Sequence, residues 1–357
     1  MFDVAAFEQI LSGKRNDLTA KLSRWIFAGL EIPYSAVTYL RNGAYDKSLV
    51  KIHRLPVPVI SVGNLTLGGT GKTPFIAWLI RKCLEMGLRP GVASRGYHAD
   101  ETGWNDETRE LALYFPEVPQ AISPKRFAAS QKMLQMADEN RKPLDLVLLD
   151  DGFQHRKLYR DIDIVLLDAM NPFGYGRIFP RGKLRESVNS LKRADVAVLS
   201  RSDLVPEEEC RNIRDKVFSI NPNIHWCEIT HSPTGFVSKS GTIASLDFLS
   251  HKTVTAFCGI GNPEGFRKTL QKVFQNEINF LTFPDHFSFR QKEMDYIYGR
   301  FRKSGTDYIL CTVKDLVKIQ SIVPDDIPLM ALMISIQFQK ESGYFTHLFN
   351  NILKIRK

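Results

Sequence analysis

Gly68-Gly69-Thr70-Gly71-Lys72-Thr73 puts backbone freedom, a cation and a hydroxyl into one short turn. Glycines let backbone N–H groups come close to an anion. Lys72 adds a point charge, and the Thr73 hydroxyl is the type of group that ligates Mg2+ beside a bound triphosphate. The usual pattern has a first glycine five places before Gly71, where this chain has Thr66, and Leu67 follows it. Residues 57–62 are apolar and β-branched, and residues 74–86 read as a helix stopped by Gly87. A strand feeding the turn and a helix leaving it are the context a phosphate-binding loop requires, so residues 66–73 are the expected nucleotide-holding segment.

Asp150 and Asp151 end the apolar run 145–149, where acids at a strand tip beside such a loop supply further Mg2+ contacts. Gly152-Phe153-Gln154-His155 adds a turn and two polar side chains there. Asn105-Asp106-Glu107 reads locally as a polar loop, equally a solvated turn. His286 in Phe283-Pro284-Asp285-His286-Phe287 has the neighbours of an oriented general base, or of a structural loop histidine. Arg95, Lys125, Arg126, Arg181, Lys183 and Arg185 follow glycine or proline in loops or at strand ends. Their forked guanidinium groups suit phosphate recognition, and their gathering around one phosphate loop suggests an anionic acceptor.

The elements that must position these groups alternate between residues 57 and 203. Strands are expected at 57–62, 90–94, 145–149, 162–167 and 196–199, with helices at 74–86 and 123–138. Short continuous apolar runs between helices indicate a parallel sheet covered on both faces, a doubly wound α/β domain with ligands at the carboxyl ends of its strands. After residue 205 the texture changes. Residues 222–250 suggest short strands and turns, and strands at 254–258, 308–312 and 329–335 indicate a second, smaller α/β lobe reached by a two-way connection. The expected division is 1–50, 51–205 and 206–357.

Before the sheet, Leu18, Leu22, Trp25, Ile26 and Leu30 recur at helical spacing beside Lys21 and Arg24, and Pro33 is expected to interrupt that helix. Such an amphipathic stripe suits either a membrane interface or the protein's own core, and periodicity does not separate the two. The 357 residues carry a formal charge of +9, which favours anionic partners. Nucleic acid is disfavoured because no basic stripe is interleaved with aromatics. The 5 cysteines form no C-x-x-C pair and read as reduced thiols of a cytosolic protein; no secretory leader or bilayer-spanning run is expected.

The ordered set of these segments resembles the tetraacyldisaccharide 4'-kinases of lipid A biosynthesis over about residues 17–340. The resemblance is carried by Gly63 to Pro74, Ser94-Arg95-Gly96-Tyr97, Asp106-Glu107, Ser123-Pro124-Lys125-Arg126, Asp150 to His155 and Phe179 to Glu186, with Gly259 to Pro263 and Phe283 to His286. The family's usual Gly-Asp-Glu-Pro stands here as Asn105-Asp106-Glu107-Thr108, and Val313 replaces a usual glutamate in Thr312-Val313-Lys314-Asp315.

The resemblance implies a P-loop NTPase-like fold, ATP as donor, Mg2+ as cofactor and the 4'-hydroxyl of a tetraacyldisaccharide 1-phosphate as acceptor, giving lipid IVA. It implies a peripheral enzyme at the cytoplasmic face of the inner membrane with no obligatory protein partner, and so favours the interface reading of the N-terminal helix. Under it Lys72 is catalytic, Asp106 helped by His286 takes the hydroxyl proton, and Thr73, Asp150 and Asp151 hold Mg2+. Arg95, Glu107, Arg126, Arg181 and Arg185 become acceptor or phosphate contacts. The rival reading is a membrane-associated P-loop GTPase or metallochaperone-type switch, for which Ser200-Arg201-Ser202-Asp203 is a poor guanine-reading segment because Arg201 stands where lysine belongs. A basic membrane scaffold that merely retains the fold is a second rival.

Overall fold

A computed structural model describes residues 4–96, 103–285, 287–340 and 343–355. Its strands are β1 (Val59–Asn64), β2 (Pro90–Ser94), β3 (Gln120–Ile122), β4 (Leu146–Asp150), β5 (Ile162–Asp168) and β6 (Val196–Ser200), followed by β7 (His225–Ser238), β8 (Ile243–Ala244), β9 (Val254–Cys258), β10 (Asn279–Thr282), β11 (Tyr308–Thr312) and β12 (Leu329–Lys340). The helices are α1 (Val4–Leu11), α2 (Leu18–Asp46), α3 (Lys72–Glu85), α4 (Asp106–Tyr114), α5 (Arg126–Glu139) and α6 (Glu207–Ile220), then α7 (Leu246–Ser250), α8 (Pro263–Gln271), α9 (Gln291–Ser304), α10 (Val313–Ile319) and α11 (Tyr344–Ile355).

All strands belong to one sheet, in the order β10-β9-β11-β12-β7-β6-β5-β1-β4-β2-β3, with β8 alongside β7. Pairing is parallel except at β7–β12 and β7–β8. Every residue of β1, β2, β4, β6 and β9 is buried, as a sheet covered on both faces requires. Helix α3 lays Phe75, Ile76, Leu79 and Ile80, all fully buried, onto one face. Removing each such side chain from water stabilises the fold by roughly 1.5–3 kcal/mol.

Several boundaries differ from the sequence expectation. The helix after the phosphate loop begins at Lys72 rather than 74, because Gly71 takes the left-handed conformation (φ 87°) that turns the chain into it. Helix α5 starts at Arg126, leaving Ser123, Pro124 and Lys125 in the loop that enters it. Over 222–250, where short strands and turns are expected, the 14-residue β7 is followed by the two-residue β8 and the short helix α7. The start of β7 pairs with β6 and nearly its whole length with β12, so two long strands carry the sheet from one half to the other. Helix α2 runs unbroken through Pro33. The residue one turn earlier, against which the ring would press, is Gly29, and polar contacts at Glu31, Tyr34 and Asn42 hold the helix to the sheet domain on both sides of the proline. Finally, α11 returns to the first half. Phe345, Leu348 and Phe349 join the core that contains Phe75 and Leu79, although they lie more than 260 residues later in the chain.

Candidate active site

The carboxyl ends of β1, β4, β6, β9 and β11 meet at one cleft of about 910 Å³. β1 delivers the phosphate loop. Inside it the Asn64 amide donates to the Thr66 carbonyl at 2.9 Å, and Leu67 N donates to Lys183 O at 2.7 Å. Leu67 to Thr73 line the cleft, while Thr66 is 5% exposed and serves as a strut, bridged to Leu184. A Cβ on Gly71 would come 2.8 Å from the His231 ring, so only glycine fits between loop and β7. Burial, then the nearby Arg201 cation, push His231 down to about 3, so it is a neutral wall of the loop at physiological pH.

β4 delivers the acids beside the loop, because Val62 of β1 pairs with Asp150. Asp150 is pushed up to about 7 by burial and by the charge of Glu107, and its Oδ1 is buried without a hydrogen-bond partner. Asp151 experiences the same burial, but Lys72 and Arg185 overcome it and hold this carboxyl well below its ordinary range. Lys72 Nζ lies 3.4 Å from Asp151 Oδ1, and Arg185 Nη1 donates to both Asp151 oxygens at 2.8 Å. Arg126, 2% exposed, donates to the Asp151 carbonyl at 3.0 Å. Burial works against its charge, and Asp151 and Asp150 support it. His155, pushed down to about 4 by burial and the Arg126 cation, also lines the cleft.

A partly buried carboxylate pair, one member lacking a partner, next to a hydroxyl and a phosphate loop fits a hard cation. Among the described residues no three His, Cys, Asp or Glu side chains form a complete cage. Mg2+ held together with substrate phosphates needs only one or two carboxylates.

Residues 23–354 match the family described as tetraacyldisaccharide-1-P 4'-kinase. The chain is 34% identical to the tetraacyldisaccharide 4'-kinase of Halothermothrix orenii, the match covering 92% of this chain and 93% of that one. It is 29% identical to the kinase of Bdellovibrio bacteriovorus, over 91% and 98% of the two chains. The fold matches the crystal structure of LpxK from Aquifex aeolicus in complex with ATP with a TM-score of 0.71 and 28% identity, covering 92% of this chain and 99% of that one. The chain belongs to the tetraacyldisaccharide 4'-kinase family. It is a phosphotransferase of lipid A biosynthesis, acting on the 4'-hydroxyl of the disaccharide.

The remaining candidates of this kinase fall into four groups. Arg95 and Glu107 line the cleft with Arg126 and Arg185. Arg181 does not; it pairs with Glu31 of α2 at 3.2 Å and helps dock that helix. Asp106 opens α4 between Asn105 and Glu107, which line the cleft, but is not itself a lining residue; it pairs with Lys318 of α10 at 3.2 Å. His286 lies outside the described residues, whereas its neighbour Asp285 lines the cleft.

Sequence reasoning missed Glu110, Lys314, Lys318 and His231. Lys314 stands in the Thr312–Asp315 segment, beside the exchanged Val313, and lines the cleft 3.8 Å from Glu107 and 4.0 Å from Asp285. Four carboxylates raise its affinity for its proton despite burial. The sequence signal for the pair was the i, i+4 spacing of Lys314 and Lys318 on one short helix.

Helix α2 docks with its polar side and leaves its apolar side outward. Asn42 donates to Glu186 at 2.7 Å, Asp46 pairs with Arg156 at 2.7 Å, and Glu31 accepts from Ile178 N at 3.0 Å. Leu18, Leu22, Trp25, Val37, Tyr39 and Leu40 are exposed. Among the described residues no helix is long and apolar enough to cross a membrane.

Proposed function

We propose that this kinase binds ATP with Mg2+ in the cleft and works as a peripheral enzyme on the cytoplasmic face of the inner membrane, where α2 rests in the lipid interface. The observation that carries the reading is continuity. Lys72, Asp150 and Asp151 share one cleft with Tyr34 and Arg41 of α2, the helix that presents an apolar face to the outside. A glycolipid whose acyl chains stay in the interface can thus offer its headgroup to the phosphate loop.

The loop amides and Lys72 hold the β- and γ-phosphates, and Arg185 and Arg126 meet the charge of donor and acceptor phosphates. Arg95 and Glu107 contact the acceptor. Thr73 with Asp150 and Asp151 would hold Mg2+, which supplies charge neutralisation across the phosphate oxygens. Asp106, assisted by His286, takes the proton of the 4'-hydroxyl as its oxygen bonds to the γ-phosphorus. The bond between that phosphorus and the bridging oxygen breaks, and its electron pair leaves with ADP. Positioning and charge neutralisation do most of the work, since the chemistry needs little covalent help. Residues 51–205 form the nucleotide-binding part, and 206–357, apart from the returning α11, close over it; residues 1–50 contact the membrane.

The test is incubation of the purified chain in detergent with Mg2+, γ-labelled ATP and the disaccharide 1-phosphate, followed by chromatography of the lipid. Label should move to the lipid, and Lys72→Ala should lower the rate by about 10²-fold or more. A lipid that stays unlabelled under these conditions rejects the reading.

A further inference from the structure

We infer that Lys318 is a positioning residue for the phosphoryl transfer, its ammonium group on α10 orienting the Asp106 carboxylate of the adjacent α4. The inference rests on the reading of Asp106 as proton acceptor. Asp106 is the first residue of α4, and a carboxylate on a first helical turn has several rotamers open to it. Lys318 restricts that choice by pairing with one carboxylate oxygen. Its Nζ lies 3.2 Å from Asp106 Oδ2 and equally 3.2 Å from Asp315 Oδ1.

Asp315 is a rigid anchor. It is fully buried, and its Oδ2 accepts from Gly259 N at 3.0 Å and from the Thr312 hydroxyl at 2.7 Å. The Lys318 side chain is 11% exposed, with its ammonium 5.9 Å from the centre of the Phe289 ring. It is therefore held before substrate arrives, and the entropy cost of pointing it has been met by folding.

The same backbone segment that anchors Asp315 reaches the phosphate loop. A Cβ on Gly261 would sit 3.3 Å from Gly69 N. A continuous set of contacts thus joins the phosphate loop, the 259–261 turn, Asp315, Lys318 and Asp106. The charged groups facing Asp106 come from both sides. On α4 they are Glu107 and Glu110; on α10, Lys314, Asp315 and Lys318; and before α9, Asp285 approaches Lys314. Removing the Lys318 ammonium takes away a positive charge 3.2 Å from Asp106 while the neighbouring carboxylates stay. That favours its protonated form, which cannot accept the hydroxyl proton.

The test compares Lys318→Met, Lys318→Gln and Lys318→Arg with the unaltered enzyme, and with Asp106→Asn in parallel, reading kcat, both KM values, the pH profile of kcat and the melting temperature. Lys318→Met should lower kcat by about 30- to 100-fold with each KM within about threefold. The acidic limb of its kcat profile should move to higher pH, and Lys318→Arg should recover most of the loss. Lys318→Gln keeps a donor for Asp315, so it carries the same comparison if Lys318→Met does not fold. A normal kcat and an unmoved acidic limb in the folded neutral variants, with Asp106→Asn inactive, would overturn the inference while leaving the base assignment intact. Near-normal turnover by Asp106→Asn would instead remove the base assignment itself. A purely structural lysine would lower the melting temperature and leave the acidic limb in place.

Discussion

At the scale of the residue, the site is a problem of too many carboxylates in too little water. Asp106, Glu107, Glu110, Asp150, Asp151 and Asp285 gather about one cleft, and each is managed differently. Asp151 is neutralised by Lys72 and Arg185. Asp150 keeps a buried oxygen with no hydrogen-bond partner. Glu110 lies one turn beyond Asp106 on α4, pushed up to about 7 by burial and only partly relieved by Lys314. Its carboxyl loses the proton more readily unfolded than folded, so its contribution falls as pH rises through the range between the ordinary value and about 7, then levels off. Glu110→Gln should therefore melt higher than the parent above pH 7, by on the order of 2–3 kcal/mol in stability, and match it below about pH 4.5. Thermal unfolding at pH 4.5 and pH 8 checks this; an equal difference at both would point to packing rather than ionisation. The Asn105 and Thr108 exchanges also find a reason here. Asn105 Oδ1 accepts from Thr108 N at 2.9 Å, and Asn105 N donates to Thr108 Oγ1 at 3.0 Å. This reciprocal cap fixes the start of the helix that carries Asp106.

At the scale of the element, α2 reverses the usual arrangement of an amphipathic helix on a soluble domain. Its polar side faces the protein and its apolar side faces outward, as an interfacial helix requires. Trp25 and Leu22 are 77% and 62% exposed. Under the proposed interfacial role, replacing each by a charge forfeits roughly 1.5–3 kcal/mol of transfer energy. Leu22→Glu with Trp25→Glu should lower binding to anionic phospholipid vesicles at least tenfold in a sedimentation assay, while the melting-temperature shift caused by ATP stays the same. Unchanged vesicle binding would assign that face to something other than lipid.

At the scale of the whole molecule, one sheet carries both halves of the site, and its strand order decides who meets whom. The β6 end places Arg201 against the phosphate loop, where it donates to Gly69 O at 3.0 Å and pairs with Asp168. Asp203, which a guanine site would need free to accept from the base, is instead paired with Lys272 at 2.6 Å. ATP with Mg2+ should raise the melting temperature by several degrees more than GTP at equal concentration, as expected when one ligand binds the folded state at many times its Kd and the other does not. Equal shifts would revive the switch reading.

The phosphate loop, the Asp150–Asp151 tip and the alternating parallel architecture were legible in the chain alone, because each is a run of neighbouring residues whose chemistry depends on local backbone. The family was legible for the same reason, through the order of such runs. Tertiary structure decided what distance in sequence conceals. It put Lys318 on Asp106 across more than 200 residues, set His231 behind Gly71, committed Arg181 to Glu31 rather than to the cleft, and brought α11 back onto α3. Those pairings depend on which strands lie side by side, and a short-range pattern of apolar and polar residues does not encode sheet order. Pro33 shows the same division. A local rule breaks the helix there, and contacts with a distant loop hold it together.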